Sequence, residues 1–147
     1  MKAPVAFKRP IAFKKITECP AYRISPNDTN YFALVFDPAG DDVDLVAVVE
    51  IFTPGGKTPP NSHSRAHEMF FVLEGEGKAF CDGASLDLKK GDAMMLRPGS
   101  NHEVHNTGTG KLYTLTVMVP NQEFAELIRN GQRVELDAED RRVIAGI

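Results

Sequence analysis

No stretch of this sequence is long and apolar enough to span a bilayer, and the first residues lack the apolar core of a secretory signal. The apolar segment Phe32 to Phe36 is closed off by Asn30 and Asp37. Cys19 and Cys81 are the only cysteines, too few for a disulfide framework, and they read as reduced thiols of a cytoplasmic protein. Basic residues never gather into a block. Lys8, Arg9, Lys14 and Lys15 are dispersed, and the formal net charge is −3, which argues against a nucleic-acid partner. There is no internal repeat and no low-complexity tract. Together these absences exclude membrane-spanning, disulfide-stapled, solenoid and nucleic-acid-binding classes.

What is present is an ordinary globular composition, 25% charged and 42% apolar over 147 residues, enough chain for one domain with a buried core. Prolines at 4, 10, 20 and 26 break up the first thirty residues, although 11–16 could form a short strand. Such an arm can cover a sheet edge of its own subunit or of a partner's. From Tyr31 the chain is rich in Val, Phe and Leu, in short runs separated by turn residues. Strands are expected over 31–36, 44–52, 69–74, 78–81, 84–88, 93–97, 102–106 and 112–119. Asp82-Gly83 is a strong hairpin signal, because a type I′ turn needs positive φ at both central residues. Evenly spaced short strands predict an all-β sandwich or barrel with a core of about 31–119. Beyond Pro120 the period changes. Asn121 is a candidate N-cap, with Phe124, Leu127 and Ile128 as one apolar face and Gly131 as the stop. Asp137 is a candidate cap for a second helix that would bury Val143, Ile144 and Ile147. This helical tail, 121–147, is expected on the barrel exterior or at a subunit interface.

Two polar stretches stand apart. Residues 55–75 pass from a Gly/Pro-rich turn through Asn61, His63, His67 and Glu68 into an apolar run, and residues 91–106 carry His102, His105 and Asn106. Two imidazoles and one carboxylate make a facial set suited to Fe(II), Mn(II) or Zn(II) with positions left open. A strand-borne histidine is by itself more often a structural hydrogen-bonding residue. Strand alternation puts His67 opposite Glu68 and His105 opposite His102, so both should face away from the site. The same rule places Phe70, Val72 and Val104, with Met94 or Met95, around the polar centre. Arg65 and Arg97 read as solvated side chains that could also meet an anionic ligand.

The spacing resembles that of the cupins, small double-stranded β-helix (jelly-roll) proteins. Their first motif, Gly-x5-His-x-His-x(3 or 4)-Glu-x6-Gly, is met by Gly55, Asn61, His63, Glu68 and Gly75. Their second, Gly-x5-Pro-x-Gly-x2-His-x3-Asn, is met by Gly91, Gly99, His102 and Asn106. Two positions depart: Asn61 replaces the first histidine, and Arg97 replaces the proline, with Pro98 following. The resemblance covers about 45–119 and implies a cupin barrel with an N-terminal arm and short C-terminal helices. It maps four metal-ligand positions onto Asn61, His63, Glu68 and His102. Asn61 would coordinate, hold a metal-bound water or merely cap the turn, and His67 competes for its place. The expected cofactor is a divalent transition metal, Mn, Fe or Zn, and the expected partners are a small organic molecule and a second copy in a homodimer. The function expected is metal-assisted chemistry of dioxygenase type, with a metal-free His/Glu isomerase or epimerase and a non-catalytic ligand-binding module as alternatives.

Overall fold

The computed structural model describes residues 9–147; Pro4 and Lys8, which enter the sequence argument, lie outside the described residues. In chain order the strands are β1 (Ala21–Arg23), β2 (Asn30–Phe36), β3 (Val46–Phe52), β4 (His67–Glu74), β5 (Glu76–Cys81), β6 (Ala84–Lys89), β7 (Ala93–Leu96), β8 (His102–Asn106), β9 (Leu112–Val119) and β10 (Gln132–Val134). The helices are short: α1 (Pro38–Asp41), α2 (Phe124–Arg129) and α3 (Ala138–Ala145). The strands form one sheet in the order β10-β1-β2-β3-β9-β4-β7 and a second in the order β6-β5-β8. The sheets pack face to face. Phe70 and Val72 of the first meet Ala79, Leu88 and Val104 of the second in one core cluster. The expected all-β barrel is what forms.

β3 explains why its sequence is apolar almost throughout. Val46, Val48 and Phe52 point into the barrel, while Val49 and Ile51 are covered from outside by Tyr31, Tyr113 and Leu136, with Val143 and Ile144 of α3 packed on them. A strand buried on both faces loses the alternation of a half-buried one. The β5–β6 turn has Asp82 at φ 47° and Gly83 at φ 84°, the backbone expected of its Asp-Gly pair.

Several expectations are corrected. Residues 11–16 form no strand; Ile11 and Phe13 are each 76% exposed, and a 3-10 turn follows at Ile16–Glu18. Without a partner edge the segment has nothing to complete its backbone hydrogen bonds. β1 and β10 were not expected, being only three residues each, and they pair with each other to tie the tail to the start of the barrel. Gly131 ends α2 through close approach rather than positive φ: a Cβ there would lie 2.2 Å from the Arg23 carbonyl oxygen. Ile147 is 87% exposed rather than buried. Most consequential, α2 does not merely coat the exterior, since Phe124 and Leu127 line a cavity.

α3 is fastened by one buried acid. Asp137 caps it, accepting from the Asp140 N–H (2.8 Å), and Asp140 returns the bond by accepting from the Asp137 N–H (3.0 Å). Asp140 also accepts from the Tyr31 hydroxyl (2.8 Å), the Tyr113 hydroxyl (2.7 Å) and Lys111 Nζ (3.0 Å). Replacing Asp140 with alanine would leave these donors facing each other in an apolar layer. Urea denaturation should show D140A less stable by about 3–5 kcal/mol, and Y113F by about 1.5–3 kcal/mol. An alanine variant as stable as the parent would refute the role assigned to this acid.

Candidate functional site

The site is assembled by zipping the polar loop onto β8. The Thr58 N–H donates to the Val104 carbonyl (2.9 Å) and the Asn61 N–H to the His102 carbonyl (3.1 Å), while the His102 N–H donates back to Asn61 (2.9 Å). The Val104 N–H in turn donates to Thr58 Oγ1 (2.9 Å). One turn further on, the Gly99 N–H donates to the His63 carbonyl (2.7 Å). Asn61 and His63 are thereby held beside His102, although they lie far from it along the chain. The other flank of the loop is clamped from outside. Gln122 Oε1, at the entry to α2, accepts from the N–H groups of Arg65 (2.9 Å) and Ala66 (2.6 Å). That loop leads directly into Glu68, the inward-facing residue near the start of β4.

Side chains of His63, Glu68 and His102 converge, offering ligand-type atoms all within 4.8 Å of one another. His102 Nε2 lies 3.3 Å from Glu68 Oε1, and His63 Nε2 3.6 Å from Glu68 Oε2. The two imidazoles are 5.4 Å apart between centroids. The His102 Nδ1–H donates to the Ser100 carbonyl (3.2 Å), which leaves the Nε2 lone pair for the centre. Burial works to raise the Glu68 carboxyl, but the two imidazoles beside it outweigh burial and hold the group below the usual carboxylate range. Among the described residues, the buried side-chain polar atoms without a hydrogen-bond partner are Arg23 Nε, Asn61 Oδ1, His63 Nε2 and His102 Nε2. Three of these four belong to this one cluster. Buried polar groups are normally satisfied, so a concentration of unsatisfied ones fits a site built for an electron-pair acceptor. Two imidazoles, a carboxylate and an amide oxygen are a donor set compatible with a divalent metal.

The residues expected to point elsewhere do so. His67 is exposed on the outer face of β4. His105 bonds Glu103 (2.9 Å) and packs against Phe80 at a tilt of 55°, 4.8 Å between centroids. Asn106 braces the barrel end through Nδ2, which donates to the carbonyls of Phe52 (3.2 Å), Thr53 (3.0 Å) and Gly110 (2.9 Å). Arg65 and Arg97 are exposed and do not line the cavity.

A cavity of about 170 Å³ opens beside Asn61, Glu68 and His102. Of the apolar residues expected around the centre, Phe70 lines it. Val72 and Val104 are instead core, Met94 packs on that core, and Met95 is exposed. The remaining walls come from residues the sequence reading passed over: Ile24, Phe32, Phe124 and Leu127, with the polar pair Asn30 and Glu50. Asn30 Nδ2 donates to Glu50 Oε2 at 2.9 Å. A signal for Glu50 was there to be read, since it is the one charged residue in the otherwise apolar β3, where burial on both faces admits a carboxyl only for a reason. Burial first, and then the nearby Glu68 charge, push Glu50 up to about 8 against the opposing Asn30 bond.

Residues 48–118 match the cupin domain family (Cupin_2). The barrel has the fold of the cupins. An uncharacterized protein of Methanocaldococcus jannaschii is 31% identical over 75 residues, covering 50% of this chain and 60% of that one. The oxalate-binding protein of Thermotoga maritima is 30% identical over 66 residues, covering 45% and 54%. The chain thus spans little more than half the length of these relatives. Among solved structures, a predicted oxalate decarboxylase from Thermotoga maritima superposes with a TM-score of 0.67 at 23% identity, over 74% of this chain and 99% of that one, a likeness of fold.

Native Glu50 keeps its proton up to about pH 8, whereas an ordinary glutamate in the unfolded chain releases it near 4.5. Between those values the unfolded state binds fewer protons, so stability falls as pH rises through the window. In chelator-treated protein the melting temperature should therefore drop from pH 5 to pH 8. Glu50→Gln should flatten that dependence, the gap between variant and parent widening in the variant's favour with pH. Parallel curves would contradict the assignment.

Proposed function

We propose that this chain binds a divalent transition metal through His63, Glu68 and His102, with Asn61 as a fourth, weaker donor, and acts with it on a small organic molecule. The observation that carries the reading is the cluster of buried, unpartnered acceptors at Asn61 Oδ1, His63 Nε2 and His102 Nε2 around one carboxylate. A neutral, hard amide oxygen in place of a third imidazole favours Mn, Fe or Zn over Cu or Ni. Bound there, the ion would supply Lewis-acid polarisation of a ligand oxygen or support oxidation of the dioxygenase type. The protein's own part is to fix His102 by its Ser100 bond, to keep Glu68 ionised between the imidazoles, and to exclude water with Phe32, Phe70 and Phe124.

A metal-free isomerase or epimerase is the second reading, and the 3.3 Å contact of Glu68 with His102 favours it, since a proton could pass between them. Binding without turnover is the third, in line with the name of the oxalate-binding relative. We read the free thiols Cys19 and Cys81 as those of a cytoplasmic protein. Among the described residues no helix is long and apolar enough to cross a membrane. A homodimer is supported by apolar side chains left bare on the arm (Ile11, Phe13) and on the outer sheet face (Phe71, Met95, Val119).

Protein purified without chelator should contain Mn, Fe or Zn by elemental analysis and should lose thermal stability when the metal is stripped. His102→Ala should retain no metal, Asn61→Ala should bind it about 10–100-fold more weakly, and His67→Ala, on the outer face, should bind it normally. Protein that is metal-free as isolated, with a melting temperature indifferent to all three ions, would sink the reading and leave the metal-free alternative.

A further inference from the structure

We propose that the cavity beside the cluster takes a compact, monocyclic phenol-like molecule, and that Glu50 is the residue that orients it. The inference deepens the metal-site reading, on which only the placement of the ligand's oxygen beside His102 and Asn61 rests. Size comes first. An apolar cavity of about 150 Å³ accommodates a benzene ring, and this one is of that order at about 170 Å³. Lining comes second. Phe32, Phe70 and Phe124, with Ile24, Pro59 and Leu127, make the apolar part of the wall, and polar residues including Thr29, Thr58 and Asn61 complete it.

Charge decides the rest. The carboxyl groups on the wall are Asp28, Glu50 and Glu68; among the described residues the one cation there is Lys57, exposed at the mouth, and no arginine lines the space. A dianion such as oxalate calls for bidentate or multiple cationic donors. Here it would meet no such set of donors beside Glu50. That residue is 3% exposed, tethered by Asn30 and set in the cavity wall. Its buried carboxyl holds a proton at neutral pH, and a protonated carboxyl both donates and accepts. It can therefore meet a hydroxyl or carbonyl oxygen as donor or as acceptor. The wall selects a ring with one polar edge.

Calorimetric titration of the metal-loaded full chain with 4-methylphenol and with oxalate tests this. The phenol should bind at least about tenfold more tightly than oxalate, the equivalent of one net hydrogen bond. Glu50→Leu should weaken phenol binding about tenfold and narrow the gap to oxalate, at unchanged metal content. Glu50→Gln, which keeps a neutral donor and acceptor of the same shape, should restore phenol binding. If E50L does not fold, the parent's preference and the E50Q titration decide the matter. Tighter oxalate binding by the parent, or a phenol-to-oxalate ratio that E50L leaves unchanged, would overturn the proposal. Repeating the titration on chelator-treated protein separates the two readings. Phenol binding without metal uptake removes the metal site and leaves this inference standing; metal uptake with oxalate preferred does the reverse.

Discussion

A carboxylate inside a barrel wall is expensive unless its charge is answered, and Glu68 is the residue around which this barrel answers one. It sits near the start of β4, facing inward, where neighbouring positions are Phe70 and Val72. Among the described residues, the imidazoles of His63 and His102 meet it, arriving from a loop and a strand on the opposite sheet. Their arrival depends on the backbone pairing of residues 58–61 with β8 and on the Gly99 bond to His63. The clamp on Arg65 and Ala66 by Gln122 then fixes the segment between His63 and Glu68. Each of these contacts brings donors toward one acid, and none of them consumes the lone pairs of His63 Nε2, His102 Nε2 or Asn61 Oδ1. A barrel concerned with stability alone would have spent them on hydrogen bonds.

Two inward-facing acids of one sheet meet opposite fates. Glu68 is ionised below the usual range because two imidazoles outweigh its burial, while Glu50, with a single amide donor, is driven the other way. Their nearness makes the contrast stronger, since the charge retained on Glu68 is one of the causes that keep Glu50 protonated. Environments that push paired acids apart divide labour between an ionised anchor and a neutral donor. Thr114 and Thr116, buried on the strand between β3 and β4, bond each other at 2.9 Å and so leave Glu50 to Asn30.

Much of this was readable in the chain because it rests on spacing and alternation. Eight strands, the Asp82-Gly83 hairpin, the Asp137 cap and the convergence of His63, Glu68 and His102 all follow from local chemistry or a period of two. The outward placement of His67 and His105 follows from the same period. What was not readable depends on contacts that no short window contains. Asn30 and Glu50 meet only because β2 and β3 pair. Gly131 looks like a helix stop of the left-handed kind, yet it is small because the Arg23 carbonyl passes above it. Ile11, Phe13 and Ile147 stand in suitable apolar patterns, but they are left exposed in the described chain, while Ile16 packs on the core.

Glu50 apart, the division between the legible and illegible parts of the site follows the boundary of the family match. Glu50, Asn61, His63, Glu68, Phe70 and His102 all fall within residues 48–118, the part that matches the cupin family. Ile24, Asn30, Phe32, Phe124 and Leu127, which close the cavity, all fall outside it. The shared barrel can therefore present the same donor set to very different molecules, with the flanks deciding which of them fits. In this chain the flank is a helix anchored at both ends. Asn121 Oδ1 accepts from the Ala125 N–H (2.9 Å), and Arg129 forks onto Asp37 at 2.6 and 2.9 Å. The Arg129 bonds hold the Asp37 carboxyl below its ordinary range, as a firmly paired acid should be. A helix moored in this way presents Phe124 to the cavity as a wall fixed before any ligand arrives, so selectivity here is a property of the folded chain.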